Sequence, residues 1–285
     1  MALAMPALPP HDPALRALGR LRLEVRSAGG RSVLSRLYQQ APCRALMPDT
    51  APGAPFEAVL VNTAGGLVGG DQLATEIEIG PDAAATLTTA AAEKLYRSTG
   101  ADCAVETRLS LASGAWLEWL PQETILFDGS RLRRSLTATL APGARLLAAE
   151  MVVFGRAARG ERFARGFLHD SWTIRSGDQL IWADAIRLED PVEAHRGRAF
   201  GFGKAAGYAT LLHAGPQAAG FLPVARELAA AAPAEGGATM VGGVLLLRFI
   251  AEDAVRLRAS VIAAAGGLRA AIAGLPAALP RVWQI

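Results

Sequence analysis

The run Val105-Glu106-Thr107-Arg108-Leu109-Ser110-Leu111 alternates, residue by residue, between apolar or β-branched side chains and charged or polar ones. Because successive side chains of a β-strand point to opposite faces of a sheet, this period of two predicts a half-buried strand. Residues 73–79 and 21–26 repeat the pattern. The chain is therefore predicted to contain strands that bury one face and expose the other.

Further segments have strand-like composition and are separated by Gly-Gly, Pro-Asp, Pro-Gly and Ser-Gly turn pairs. They are residues 33–39, 56–61, 84–89, 123–127, 132–140, 145–154, 179–188 and 243–250. Many short strands at spacings of about ten residues are typical of a β-sandwich, barrel or solenoid. Residues 217–232 and 252–273 are rich in Ala, Leu, Arg and Glu and are predicted to be helices.

The length of 285 residues is compatible with one large β-rich domain, and 51% hydrophobic residues can supply its core without a disulfide. Residues 1–19 are predicted to form a loose tail and residues 20–285 a single domain. The first ten residues contain three prolines and no basic segment, so they do not resemble a signal peptide. No run reaches the roughly 20 apolar residues of a membrane span, and the predicted location is the cytoplasm.

Charge and metal-binding residue types exclude two function classes. The arginines are scattered among carboxylates and the net charge is only +3, whereas nucleic-acid binding usually needs a clustered basic face. Cys43 and Cys103 form no CxxC pair, and the four histidines are dispersed. A tight His/Cys metal site is therefore not expected.

Glycine-rich segments give two motifs that resemble nucleotide-binding loops. Gly65 and Gly70 have the spacing of a P-loop, but Asp71 stands where that motif requires lysine, and a carboxylate would repel a phosphate. The segment 201–206 matches a dinucleotide fingerprint but does not follow a buried strand. The first is interpreted as not binding nucleotide and the second as a flexible loop.

Five segments, in one order along the chain, resemble motifs of the UreD (UreH) family of urease accessory proteins. They are residues 62–71, 88–98, 119–125, 155–161 and 279–283, which are similar to GGLVGGD, TTQAATKVYRS, WLPQETI, GRxAxGE and LPRxW. Within the second, Ala90 replaces a glutamine, Glu93 a threonine and Leu95 a valine. Each motif is short, and the specificity of the resemblance comes from their combined order.

The resemblance implies a mostly β fold, an irregular β-helix or solenoid with about two helices. It also implies a protein that is not an enzyme. Such a protein binds urease apoprotein and, with UreF and the GTPase UreG, supports nickel delivery to the urease active site. GTP hydrolysis would belong to UreG, in agreement with the missing P-loop lysine. No tightly bound cofactor is expected, only transient passage of Ni²⁺.

A passage for Ni²⁺ needs weak, exchangeable ligands, because a His/Cys cage would retain the ion. Polar residues within strongly patterned segments are the candidates for its lining: Asp71, Thr88, Thr89, Glu150 and Glu161. Glu93 and Lys94 are expected to form a solvated pair. The other motif residues are expected to be structural: Gly65, Gly66, Gly69, Gly70, Tyr96, Arg97, Trp119, Pro121, Glu123, Gly155 and Arg156.

Two alternative functions stay open on the residues alone. One is a carboxylate-based hydrolase on a β-solenoid, although the chain has no GxSxG motif and no two carboxylates can be paired from sequence. The other is a plain structural or binding module. The sequence does not give the stoichiometry or the surfaces that meet UreF and urease.

Overall fold

The computed structural model describes residues 16–51, 53–198 and 200–284. These residues form a mostly β protein, as predicted, with three α-helices, of which the short first one was not predicted. The strands are β1 (Leu18–Ala28), β2 (Arg31–Gln40), β3 (Cys43–Leu46), β4 (Phe56–Asn62), β5 (Gln72–Ile79), β6 (Ala84–Thr89), β7 (Glu93–Leu95), β8 (Cys103–Leu111), β9 (Trp116–Leu120), β10 (Thr124–Leu126), β11 (Arg131–Leu140), β12 (Arg145–Phe154), β13 (Phe167–Ser176), β14 (Gln179–Glu189), β15 (Gly207–Ala214), β16 (Glu235–Val241) and β17 (Val244–Ala251). The helices are α1 (Val192–Arg196), α2 (Leu222–Ala231) and α3 (Ala254–Ala273).

The strands form two sheets that the chain visits alternately. The first sheet has the order β14-β13-β11-β8-β5-β1-β2, and the second contains β16-β17-β15-β12-β9-β6-β4-β3, with β10 paired to β12 and β7 paired to β10. The strands β5, β8 and β11 pair in parallel in the first sheet, and β6, β9 and β12 do so in the second. This arrangement makes about four solenoid-like turns and confirms the predicted fold class.

The main core lies between the two sheets. Leu23, Ile77 and Leu109 are buried there, and each belongs to a strand whose sequence alternates. The charged residues between them face outward, where Arg22 on β1 pairs with Glu78 on β5 at 2.6 Å. The period-two pattern therefore identified the inner face of these strands correctly.

Helices α2 and α3 cover the outer face of the second sheet and form a second apolar core with it. The carboxylate of Asp253 caps α3 by accepting a hydrogen bond from Val255 N at 2.8 Å. Gly266 lets the helix approach the backbone carbonyl of Ala277, because an added Cβ would collide with that oxygen. Among the described residues, no helix is long and apolar enough to cross a membrane.

The structure differs from the sequence prediction at several places. The predicted helix 217–232 begins as a 3-10 turn, and α2 proper starts at Leu222. Six strands were not predicted: β3, β7, β9, β13, β15 and β16. In β9 and β15 every residue is buried, so their sequences lack alternation. Strand β1 begins at Leu18, inside the predicted tail, and residues 1–15 of that tail lie outside the described part of the chain.

Candidate functional site

A cavity of about 250 Å³, here called the inner cavity, lies between the two sheets. Its mouth is bounded by exposed backbone at Gly65, Ala90 and Ala91, and its lining continues inward to the buried side chains of Arg134 and Glu150. Strands β5, β8 and β11 contribute one wall, while β9, β10 and β12 contribute the other. The inner cavity thus extends from solvent into the polar centre of the sandwich.

A carboxylate stands at the mouth of the inner cavity. Glu93 accepts hydrogen bonds from Asn62 Nδ2 at 3.2 and 3.1 Å and from Lys94 N at 3.2 Å. Burial raises the pKa of the Glu93 carboxyl, and the bond from Asn62 opposes the rise. The expected solvated pair with Lys94 is therefore wrong, because Glu93 turns inward while Lys94 is exposed.

Thr89 lies on the wall of the inner cavity. Its hydroxyl accepts a hydrogen bond from Gln122 N at 2.9 Å and donates to Ala91 O at 3.2 Å. The Gln122 side chain donates to Thr89 O and to Val282 O, both at 3.1 Å. These bonds join two of the motif segments to the C-terminal motif.

A buried ionic network closes the inner end of the cavity and is here called the Arg134 network. Arg134 donates to both oxygens of Asp170, from Nε at 2.9 Å and from Nη2 at 2.6 Å, and its Nη1 donates to Thr124 at 3.1 Å. The same Nη1 lies 2.6 Å from Glu150 Oε2. The Tyr208 hydroxyl donates to Asp170 at 2.7 Å.

Burial and neighbouring charges shift the pKa values of the groups in the Arg134 network. Desolvation raises the pKa of the Glu150 carboxyl, the Arg134 charge opposes this, and Asp170 adds to the rise. Desolvation also raises the pKa of the Tyr208 hydroxyl, which keeps it a hydrogen-bond donor to Asp170. The Arg134 pKa is raised, since the two carboxylates outweigh the cost of burying its charge.

The other three predicted lining residues do not line the inner cavity. The Asp71 carboxylate accepts backbone bonds from Ala17 N at 2.9 Å and Val68 N at 2.8 Å. Thr88 accepts from Trp283 Nε1 at 3.0 Å, and Glu161 pairs with Arg156 at 2.5 and 3.0 Å. The structure gives each of them a hydrogen-bonded partner, and among the five candidates only Thr89 and Glu150 meet at the inner cavity.

Motif residues from separate segments meet beside the mouth. The Tyr96 hydroxyl donates to Gly65 O at 3.2 Å, and its ring meets Phe127 edge-on at a centroid distance of 5.0 Å. The Arg156 guanidinium lies 4.1 Å from the centre of the Phe127 ring. Gly66 has φ of +144°, and a side chain there would collide with Tyr96.

The remaining motif residues have varied positions. Arg97 pairs with Asp128 at 3.4 Å, and Glu123 pairs with Arg258 at 2.7 Å. Trp119 Nε1 donates to Glu150 at 3.3 Å. A side chain added at Gly69 would collide with Ser98, and one added at Gly155 would collide with Arg162. A side chain at Gly70 would closely approach Arg16. Pro121 lines the inner cavity.

Sequence reasoning missed Arg134 and Asp170, although a signal for both was present. Arg134 is two residues from Leu132 and from Leu136, so the alternation of β11 places it on the inner face. Asp170 has the same relation to Leu168 and Trp172 in β13. A charged residue at an inward position of an alternating strand is therefore the sequence signal of such a network.

The fold and the cavity define a β-solenoid-like protein that encloses a chamber with a polar inner end between its sheets. A family model described as UreD urease accessory protein matches residues 17–284. The urease accessory protein UreD of Magnetococcus marinus is 44% identical over 279 residues, which are 96% of each chain. Those of Methylobacterium sp. strain 4-46 (45% over 262 residues, 90% of each chain) and Azorhizobium caulinodans (41% over 271 residues, 95% of this chain and 97% of the relative) are similar.

The chain belongs to the UreD family of urease accessory proteins, and this membership supports a role in urease maturation. The resemblance inferred from the five short motifs is thereby confirmed over nearly the whole chain. Within the described residues, no group of three or more His, Cys, Asp or Glu side chains is arranged to hold a metal ion.

Proposed function

We propose that this protein acts in the cytoplasm as a urease assembly factor without turnover of its own. It binds urease apoprotein and, together with UreF and UreG, supports nickel delivery to the urease active site. GTP hydrolysis is assigned to UreG, since Asp71 occupies the position of the P-loop lysine and is held by backbone N–H groups. The family supports the urease role, and the chemistry of the inner cavity supports the nickel role.

The observation that carries the nickel role is a small set of carboxylate and hydroxyl oxygens placed along the otherwise largely apolar lining of the inner cavity. Glu93 stands at the mouth, Thr89 on the wall and Glu150 at the inner end, within one continuous lining. Carboxylate and hydroxyl oxygens bind Ni²⁺ less tightly than thiolate or imidazole cages, so an ion can be passed on. The thiol of Cys43 also lines the cavity, but burial raises its pKa to about 11, so it is a poor ligand at neutral pH.

The proposal is tested by urease activation with matched pairs of variants. Thr89→Val and Glu150→Gln alter the lining of the inner cavity, whereas Thr88→Val and Glu118→Gln alter buried residues that do not line it. Each variant is co-expressed with UreF, UreG and urease apoprotein, and nickel incorporation is measured together with urease activity.

We expect the two lining variants to form the complete complex but to incorporate nickel several-fold more slowly. The two controls should incorporate nickel in proportion to the amount of complex that they form. Wild-type nickel incorporation by both lining variants would overturn the passage. Failure of the wild-type chain to copurify with urease apoprotein would overturn the assembly role itself.

A further inference from the structure

Two cavities approach the Arg134 network from different sides. Arg134 and Glu150 line the inner cavity. Tyr208, whose hydroxyl donates to Asp170, lines a second cavity of about 400 Å³ bounded by β14, β15 and β17. The network is therefore a polar partition between two spaces that have no lining residue in common.

The two carboxylates of this partition hold Arg134 unequally. Asp170 receives two parallel N–H bonds, which is the strongest geometry for a guanidinium and a carboxylate. From Arg134, Glu150 receives only the end-on approach of Nη1 to Oε2, which does not have hydrogen-bond geometry, while its Oε1 accepts from Trp119 Nε1 at 3.3 Å. The contact that faces the inner cavity is thus the weaker of the two.

The partition also carries one more carboxylate than cationic side chains. A single guanidinium faces two carboxylates, all of them at least nine-tenths buried. Within a low-dielectric interior an uncompensated carboxylate is costly, so the network favours a further proton or cation. The raised pKa of Glu150 has the same cause, since burial disfavours its charged form. Of the two carboxylates in the partition, Glu150 has the weaker contact with Arg134, and it is the one that a divalent cation in the inner cavity would meet.

We propose that Arg134, held by Asp170, is a tethered counter-cation that competes with a divalent metal ion for Glu150. This inference rests on the proposed passage of nickel and assigns Arg134 the task of keeping metal binding there weak. An arriving ion displaces the end-on contact to Glu150, while the fork on Asp170 keeps the guanidinium in place. When the ion leaves, the guanidinium returns to Glu150 without any diffusion step.

The test is the affinity of the isolated, tag-free chain for Ni²⁺, measured by equilibrium dialysis. Arg134→Gln removes the competing charge and frees both carboxylates, so Ni²⁺ should bind about tenfold more tightly or better. The double variant Arg134→Gln, Glu150→Gln should lose most of that gain. Unchanged affinity in Arg134→Gln would overturn the proposal.

A matched control separates this effect from the general freeing of a buried carboxylate. Arg269 holds Glu118 with two bonds of 2.8 and 2.9 Å, and neither residue lines either of the two cavities. Arg269→Gln breaks a pair of similar burial, and its Ni²⁺ affinity should stay at the wild-type value. An equal rise in this control would count against a particular role for Arg134.

Arg134→Lys serves as a second variant, since it keeps the charge but loses the fork on Asp170. If Arg134→Gln does not fold, Arg134→Lys decides the question, and its affinity should rise about threefold because an ammonium cannot hold both carboxylates. No rise would overturn the proposal. Failure of the nickel passage itself is recognised separately, as normal nickel incorporation into urease by Thr89→Val and Glu150→Gln.

Discussion

Asp71 has a defined structural task at the residue scale. Its side chain is only 4% exposed, and its two oxygens accept the backbone bonds of Ala17 and Val68. Asp71→Ala leaves two N–H groups without these acceptors, so the free energy of unfolding should fall by about 1–3 kcal/mol. Chemical denaturation measures the change, with exposed Asp178→Ala as the control. Normal stability with slow nickel incorporation would instead favour the passage role for Asp71.

His213 gives the fold a dependence on pH. It is fully buried, its Nδ1 donates to Leu146 O at 2.9 Å, and its Nε2 has no partner among the described residues. Burial lowers its pKa from 6.5 to about 4. Because the unfolded chain takes up the proton first, the stability contributed by neutral His213 is complete above pH 6.5.

That contribution is lost as the pH falls from 6.5 to 4, and it amounts to about 3 kcal/mol at most. Unfolding free energies measured across this range should therefore decrease more steeply for the wild type than for His213→Gln. The control is His195→Gln, in helix α1 where the side chain is only partly buried, and it should keep the wild-type slope. Equal slopes for wild type and His213→Gln would contradict the prediction.

At the scale of elements, α3 illustrates how packing overrides helix propensity. Gly266→Ala should improve the helix itself but drive a methyl group into the backbone of residue 277. Backbone cannot rotate away, so the substitution should destabilise the protein by about 1–3 kcal/mol. Gly267→Ala is the control in the same helix, because it meets only the flexible end of Leu228 and should change stability by less than about 1 kcal/mol. Thermal unfolding compares the two, and equal effects would contradict the packing explanation.

The strands show which elements a sequence reveals. Strands with one buried face, such as β8 and β11, alternate and were predicted. Strands β9 and β15 are covered on both faces, one by the core and the other by the helices, so nothing in their sequences alternates. Burial on both faces removes the alternation, and β12, buried along nearly its whole length, was predicted at residues 145–154 from its composition instead.

For the whole molecule, alternation and turn pairs predicted a β-rich protein, and the family motifs added the solenoid. The site was less accessible, because a cavity depends on which strands become neighbours. Thr89 and Glu150 lie far apart in the sequence yet line one space, whereas adjacent Thr88 faces Trp283 on the other side of the sheet. Polarity within a patterned strand predicted burial of these residues but could not distinguish the two sides.

The hydrogen bonds of residues 282 and 283 affect when, during synthesis of the chain, the wall of the inner cavity beside Thr89 can be completed. The backbone carbonyl of Val282 accepts a hydrogen bond from the Gln122 side chain, 160 residues away. Trp283 Nε1 donates to the hydroxyl of Thr88, 195 residues away. During translation, Thr88 and Gln122 are synthesised long before their partners Trp283 and Val282. A nascent chain therefore carries an unfinished wall beside Thr89 until residue 283 has emerged. The wall beside Thr89 is thus complete only after residue 283 has been translated.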